Sequence, residues 1–180
     1  GNFPCINTFI SAEGVSVLKY HIESSHYSTT GNIITSIGVI CHELGHFFGG
    51  LPDLYDLDGS SSGLGNWALM SSSWGWDNTG ANPPNLSPWS KIKLDWVEPK
   101  KITSFNQTFS INASALADDI FIIRRNFPDG EYLLIENRQP ILNERHIPQG
   151  GLLIWHIDNA VDSFNWNEGY PGQNGWPENG

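Results

Sequence analysis

The chain has few basic side chains and no long apolar segment. Lysine and arginine together number 9 against 19 aspartates and glutamates in 180 residues, and the formal net charge is −10. Residues 1–90 hold a single basic side chain, Lys19, and seven acidic ones. A surface of this sign repels phosphate backbones and anionic lipids, which argues against a nucleic-acid partner and suits cation binding. No run of about eighteen apolar residues is present, so membrane insertion is not expected.

Cysteine is scarce as well. The two cysteines, Cys5 and Cys41, are too few for a disulfide framework. They could form one bridge, or each could be a buried thiol. The sequence opens on Gly1 and not on Met, without a basic region and apolar core, so the chain is expected to be processed, truncated or partly observed. Eight tryptophans and 19 glycines are more typical of an extracellular protein than of a cytosolic one.

The strongest chemical signal is the sequence HELGH at positions 42–46. Side chains four positions apart on a helix project from one face, so His42 and His46 can bind the same metal ion. Glu43 would then face the open coordination position, where a general base acts on water. The alternative is an amphipathic surface helix whose histidines are merely solvated.

The residues around this motif predict a helix over positions 33–48. Residues 29–32 supply cap residues before it, and Gly49, Gly50 and Pro52 end it. One side of this helix is apolar and is expected to pack against the core, with the histidines on the opposite, polar side. The apolar stripe consists of Ile33, Ile37, Ile40, Cys41, Leu44 and Phe48.

The rest of the chain divides into a loop-rich part and a β-rich part. Residues 51–84 are dominated by Gly, Ser, Asp, Asn and Pro, which predicts loops. Ser87 and Pro88 provide an N-cap and a first-turn proline for a short helix. Strands are predicted at residues 15–22, 109–111, 120–123, 132–135 and 152–157. The sequence PDG at 128–130 predicts a hairpin between the third and fourth of these strands.

Several sequence blocks, in the same order, resemble the immune inhibitor A family of secreted bacterial metallopeptidases. Together they extend from about residue 30 to about residue 160, which is far more specific than the HELGH motif alone. The blocks are ICHELGH at 40–46 with Gly49 and LPDLYD at 51–56, SGLGNWALM at 62–70 with SW at 73–74, LSPWSK at 86–91, DWVEP at 95–99, EYLLIENR at 131–138 and GLLIWHID at 151–158.

The resemblance implies an α+β fold: a zincin-like metallopeptidase domain of the metzincin type, partial at its N-terminus, followed by a β-rich C-terminal part. Residues 1–100 would form the catalytic region, residues 101–162 a β-rich continuation or subdomain, and residues 163–180 an irregular tail. Met70, the only methionine, would lie in a Met-turn region at 62–76 as a hydrophobic floor beneath the metal. The chain would be part of a larger multidomain secreted protein that acts on protein or peptide substrates.

Asp53 is expected to be the third metal ligand. In the metzincin pattern that the resemblance implies, this ligand falls at the position of Pro52, which has no donor atom. Gly49 and Gly50 lengthen the usual spacing by one residue, and a flexible Gly-Gly bulge could bring the Asp53 carboxylate to ~2.0–2.2 Å from zinc. Asp56 or a more distant carboxylate is the alternative.

Two other polar groups have competing interpretations. An acidic loop could hold Ca²⁺ through hard oxygen ligands, or it could be a solvated turn. His156 and Asp158 share one face of a predicted strand, which is an ordinary polar face unless a third group joins them. The acidic loop consists of Asp53, Asp56, Asp58 and Gly59.

These observations predict a secreted zinc-dependent endopeptidase, with Glu43 as catalytic base and Zn²⁺ bound by His42, His46 and Asp53. Two rival functions stay open: a non-catalytic or incomplete binding module on the same scaffold, and a zinc hydrolase acting on a non-peptide bond. Three aromatic side chains could line the cleft or complete the oxyanion site, or they could be packing groups. They are Tyr55, Trp74 and Trp76.

Overall fold

The computed structural model describes residues 9–17, 23–26, 33–56, 61–104 and 106–160. Within them the chain is a mixed α/β structure with two α-helices, a two-stranded ribbon and a four-stranded sheet. The helices are α1 (Ile37–Gly49) and α2 (Pro88–Lys93). The strands are β1 (Phe9–Ile10), β2 (Ser16–Val17), β3 (Lys100–Lys101), β4 (Phe121–Ile123), β5 (Glu131–Arg138) and β6 (Gly151–Asp158). Neither described helix is long and apolar enough to span a bilayer.

The four-stranded sheet has the order β3-β4-β5-β6. The first pair is parallel and the other two are antiparallel. β5 and β6 pair along their whole length, from Glu131 opposite Asp158 to Arg138 opposite Gly151. The hairpin predicted from the PDG sequence is confirmed, because β4 and β5 are antiparallel neighbours.

The turn before β5 follows from its sequence. The Glu131 N–H donates to the Pro128 carbonyl at 3.1 Å, and Gly130 has φ +94°. A type II turn requires a positive φ at its third residue, which glycine adopts without steric cost. Local turn chemistry therefore sets the point where β5 begins.

Alternation along β5 builds the core, since every second side chain is buried. Side chains of the loop-rich part and of α2 pack on that buried face, so the sheet supports the region that precedes it in the chain. The core cluster consists of Ala68, Ile120, Ile122, Tyr132, Leu134 and Trp155, with Leu64, Trp67, Trp89, Ile92 and Val97 packed against it.

α2 begins as predicted. Ser87 is the N-cap, its Oγ accepts the Ser90 N–H at 3.2 Å, and Pro88 occupies the first turn. Such a cap contributes about 1 kcal/mol of helix stability. The prediction from Ser87 and Pro88 is therefore confirmed.

α1 begins later than the sequence predicts. Its N-cap is Ser36 and its first residue is Ile37, whereas the prediction placed the cap at residues 29–32 and the start at position 33. Residues 27–32 lie outside the described residues. Ile33 precedes the helix and is exposed. The helix nevertheless carries both histidines and ends at Gly49, one residue beyond the predicted end.

The prediction that the apolar stripe of α1 packs into the core is wrong for the described part of the chain. Ile37 and Phe48 are 55% and 79% exposed, whereas His42 is 8% exposed. The loop-rich part packs on the histidine side, where Leu51 and Met70 lie against the helix at Gly45. Periodicity distinguishes the two sides of a helix, but the tertiary neighbours decide which side is covered.

Three further predictions meet different outcomes. Residues 109–111 form no strand, and the nearest pairing is an isolated bridge between Ala113 and Asn137. β2 lies within the strand predicted at 15–22, of which residues 18–22 lie outside the described residues. Cys41 is a half-buried free thiol whose pKa is raised by burial, while Cys5 and the tail at 163–180 also lie outside the described residues.

Candidate metal centre

The end of α1 turns the chain back toward its own histidines. Gly50 has φ +58° and ψ 25°, a left-handed conformation that suits glycine. The Leu51 N–H donates to the Gly45 carbonyl at 3.2 Å, and the Gly50 N–H donates to the His46 carbonyl at 3.1 Å. The second of these bonds, from the left-handed residue to the carbonyl four positions earlier, closes the helix in an αL cap. The extra glycine is absorbed in this cap, and Asp53 returns to the face of α1 that carries the histidines.

Three donor atoms meet in front of α1. His42 Nε2 lies 3.0 Å from Asp53 Oδ1, and His46 Nε2 lies 3.1 Å from the same oxygen. The two Nε2 atoms are 3.1 Å apart. Among the described residues, these three side chains form the one group of histidines, cysteines and carboxylates close enough to share a metal ion. The structure thus brings His42, His46 and Asp53 together as predicted.

Backbone carbonyls orient both imidazoles. His42 Nδ1 lies 2.9 Å from the Leu69 carbonyl oxygen, and His46 Nδ1 lies 2.6 Å from the Leu51 carbonyl oxygen. A carbonyl only accepts, so each Nδ1 carries a proton and donates it. In the neutral imidazole the unprotonated Nε2 then faces Asp53, which is the orientation that a metal ligand needs.

The donor set fits a divalent metal. Two nitrogen lone pairs and a carboxylate oxygen face one another at 3.0–3.1 Å, an arrangement that is repulsive unless a proton or a cation lies between them. Zinc bonds of ~2.0–2.2 Å in a tetrahedron place their donors ~3.3–3.6 Å apart, close to the separations found here. Histidine nitrogen and carboxylate oxygen are both accepted zinc donors. His42, His46 and Asp53 would hold the ion and leave a fourth position for water.

Hydrogen bonds keep Asp53 ionised. Burial raises the pKa of this carboxyl, but in the metal-free chain hydrogen bonds from protonated His42 and His46 and from Tyr55 outweigh it and hold the pKa well below its ordinary value. Burial and the bond to Asp53 raise the pKa of Tyr55 to about 12, so the phenol stays protonated and donates. The Tyr55 ring also stacks on His42, with 6.5 Å between the ring centres.

The same carboxylate acts on the histidines. For His42, burial lowers the pKa and the contact with Asp53 raises it, with the balance upward. For His46, the contact with Asp53 raises the pKa and burial lowers it, again with the balance upward. A proton therefore competes with a metal for this site.

Glu43 lies beside the donor set. It follows His42 on α1 and is half-buried. Its negative charge contributes to the raised pKa of His46 and of Tyr55. The carboxylate is therefore close enough to act electrostatically on the groups around the donor atoms.

Met70 supports α1 from below. It is fully buried, and its thioether occupies the space that a side chain at Gly45 would need. Gly45 lies between His42 and His46 on the helix. This contact agrees with the predicted role of Met70 as a support that is not itself a ligand.

The backbone of residues 69–70 holds both parts of the donor set. The Leu69 carbonyl accepts from His42, and the Met70 carbonyl accepts the N–H of Leu54, which adjoins Asp53, at 2.8 Å. These two carbonyls could not be predicted from the sequence, because every residue type carries a carbonyl and main-chain acceptors leave no pattern there.

The remaining acidic predictions are not part of the donor set. Asp56, the alternative third ligand, accepts the N–H of Ser61 instead. Asp58 and Gly59 lie outside the described residues, so the calcium interpretation of this loop stays a prediction. His156, on β6, contacts Glu131, on β5, with 3.1 Å between His156 Nε2 and Glu131 Oε2.

The three predicted aromatic residues lie in different parts of the structure. Tyr55 contacts the donor set, as described above. Trp76 packs against Trp67 with 4.9 Å between ring centres, and both line an open cavity of about 480 Å³ together with residues 62–66 and 71–72. Trp74 packs over Gly80.

A helix that presents two histidines and an intervening glutamate, completed by a carboxylate from the following turn, is the arrangement of a metal-dependent peptidase. The family model for the immune inhibitor A peptidase M6 catalytic domain matches residues 10–99, which is half of the chain. The chain belongs to this peptidase family. The matched segment contains α1, the three donors and Met70. No curated protein and no solved structure matches the chain.

Proposed function

We propose that the chain acts as a secreted zinc-dependent endopeptidase that hydrolyses peptide bonds of protein substrates. The observation that carries this proposal is the convergence of His42 Nε2, His46 Nε2 and Asp53 Oδ1 within 3.0–3.1 Å of one another. Membership of a peptidase family supports the reaction class. The acidic composition suits a protein that binds a cation.

Each group around the donor atoms has a separate role. Asp53 supplies the negative charge of the donor set, and the Leu69 and Leu51 carbonyls keep the two imidazoles in the tautomer that binds metal. Zinc held by such a set would supply a Lewis acid, which lowers the pKa of bound water toward ~7 and stabilises oxyanion charge.

Glu43 serves as the general base. Its carboxylate accepts the proton of the water that attacks the scissile carbonyl, and it returns a proton to the departing amine. Position 43 suits this role because it lies on the same helix as both histidines and acts electrostatically on His46. The Tyr55 hydroxyl, held protonated, donates to Asp53 and so supports the carboxylate of the donor set.

Metal analysis with two matched aspartate variants tests the donor set. The purified chain is expected to hold about one zinc per molecule. Asp53→Asn should lose most of it, whereas Asp56→Asn should keep it, since Asp56 contacts Ser61 and not the histidines. Equal zinc loss in both variants, or a chain without affinity for zinc, would overturn the assignment.

A second experiment tests the chemistry. Glu43→Gln should keep zinc and lower the rate of casein cleavage by about 10²–10⁴-fold, the usual contribution of a general base. Full activity in this variant contradicts the role of Glu43. Zinc binding without peptide cleavage in the wild type would favour a binding module, and cleavage of esters alone would favour a hydrolase of another bond.

A further inference from the structure

Three charged side chains are buried together at the end of β5. Glu136, Arg138 and Glu144 are each 0–1% exposed. Arg138 Nε lies 2.8 Å from Glu136 Oε1, and Arg138 Nη1 donates to Glu144 Oε1. Burying a charge is costly unless it is paired, so the three groups depend on one another.

The two carboxylates of this cluster differ in what else they contact. Glu136 accepts the indole N–H of Trp155 at 3.0 Å, a contact within the sheet. Glu144 accepts the main-chain N–H of Asn85 at 3.2 Å, which is 59 positions away in the chain. Both contacts of Glu144 use a single atom, Oε1. Glu144 thus joins the sheet to the loop before α2, and Glu136 does not.

Neighbouring contacts hold the same loop. Arg138 Nη2 donates to the Leu86 carbonyl at 3.3 Å. Asn143 Nδ2 donates to the Pro83 carbonyl at 3.1 Å and to Asn85 Oδ1 at 2.9 Å. Residues 83–86 are therefore fixed by side chains that follow them by more than fifty positions.

A short path leads from this loop to the donor set. The Asn85 carbonyl accepts the Leu69 N–H at 3.1 Å, and the Leu69 carbonyl accepts from His42 Nδ1 at 2.9 Å. The adjoining Met70 carbonyl holds Leu54, next to Asp53. A displacement of Asn85 therefore reaches the carbonyl that selects the His42 tautomer.

We propose that Glu144 is a positioning residue for the metal centre, acting through Asn85 and Leu69 on the imidazole of His42. This inference rests on the proposed function of the donor set. Glu144 contacts no donor atom. It holds the loop at residues 83–86, and this loop in turn holds Leu69, whose carbonyl accepts from His42. Removing the partner bonded directly to a metal-bound histidine, here the Leu69 carbonyl, typically lowers metal affinity by about 10–100-fold.

The test compares two buried carboxylates in the same chain. Glu144→Ala should weaken zinc binding by about tenfold, the lower end of the effect of a directly bonded partner, in chelator competition, and it should shift the visible absorption of the Co²⁺-loaded protein. Glu136→Ala removes an equally buried partner of Arg138 but no contact to Asn85, so it should change both readouts clearly less than Glu144→Ala does. Glu144→Gln keeps an acceptor oxygen and should recover part of the affinity. Equal loss of zinc affinity in both alanine variants would overturn the proposal.

Two further measurements keep the proposal testable. If Glu144→Ala does not fold, Asn143→Ala removes only the half-buried contacts to Pro83 and Asn85, and it should weaken zinc binding in the same direction.

The His42 Nδ1–H signal in nitrogen-correlated NMR of the metal-free chain should be lost in Glu144→Ala and kept in Glu136→Ala. A signal that persists in Glu144→Ala contradicts the positioning role. Failure of the wild type to bind zinc would overturn the proposed function alone, because this signal is read without metal.

Discussion

Gly45 faces the thioether of Met70 so closely that a Cβ at position 45 would lie 2.5 Å from Sδ and 3.2 Å from Cε. Gly45→Ala should therefore push Met70 aside and lower the free energy of unfolding by about 1–3 kcal/mol. Zinc affinity should fall with it, because the helix turn between His42 and His46 is displaced. Thermal unfolding and chelator competition measure the two effects.

The double variant Gly45→Ala/Met70→Ala distinguishes the stability lost through this contact from the stability that alanine at position 45 would cost in any surroundings. Met70→Ala removes the crowding atoms, so Gly45→Ala in that background should cost less than it does alone. Additive losses of stability in the double variant would show that the two side chains do not compete for the same space.

Gly38→Ala should destabilise α1 more severely. A Cβ at Gly38 would collide with the main-chain carbonyl oxygen of Ser73 and lie 3.0 Å from that of Gly80. Backbone yields less readily than a flexible thioether, so the expected loss is about 3 kcal/mol or more in urea unfolding. Gly151→Ala is the matched control, because nothing lies within 4 Å of its Cβ position. An unfolding midpoint shared by both variants would contradict the close packing at Gly38.

Tyr55→Phe should weaken metal binding without unfolding the chain. The phenol donates to Asp53 and helps to hold the pKa of that carboxyl down. Removing this outer partner is expected to lower zinc affinity by about tenfold, at the lower end of such effects, because Tyr55 is 40% exposed. Tyr132→Phe deletes a hydroxyl on β5, and its zinc affinity should match that of the wild type. Unchanged affinity in Tyr55→Phe would exclude the phenol as a support of Asp53.

Asp119 should contribute to stability in a defined acid range. Hydrogen bonds from Lys100 and Asn112 lower the pKa of Asp119 to about 2. The unfolded chain has a pKa of about 3.9 at this position, so it takes up the proton first. The stabilisation is therefore complete above about pH 4 and is lost as the pH falls toward 2.

Urea unfolding of Asp119→Asn against the wild type measures this contribution. The variant should be less stable at neutral pH, and the difference should shrink as the pH is lowered from 4 toward 2. A difference that stays constant over this range would mean that Asp119 does not titrate as its contacts indicate.

Local patterns predicted the parts of the site that depend on nearby sequence. His42, Glu43 and His46 follow from helical spacing, and α2 follows from Ser87 and Pro88. Asp53 could be predicted from the ligand spacing of the family that the sequence resembles, because a glycine that accepts a left-handed conformation absorbs the one extra residue. Each of these inferences involves residues within one turn or one helix.

The features that could not be predicted from the sequence depend on contacts between residues far apart in the chain. The apolar stripe of α1 was assigned to the wrong environment because the pattern does not identify its neighbours. The contacts that link His42 to Leu69, Leu69 to Asn85 and Asn85 to Glu144 form only in the folded chain. Glu144 in particular shares no short motif with the histidines it supports.

The contact between Glu144 and Asn85 also bears on how short a working fragment can be. A fragment that stops at residue 99, where the family match ends, would keep every donor atom of the metal centre. It would lack the buried cluster and the four-stranded sheet that fix residues 83–86. The smallest unit able to hold the histidines in register therefore extends well past the segment that identifies the family.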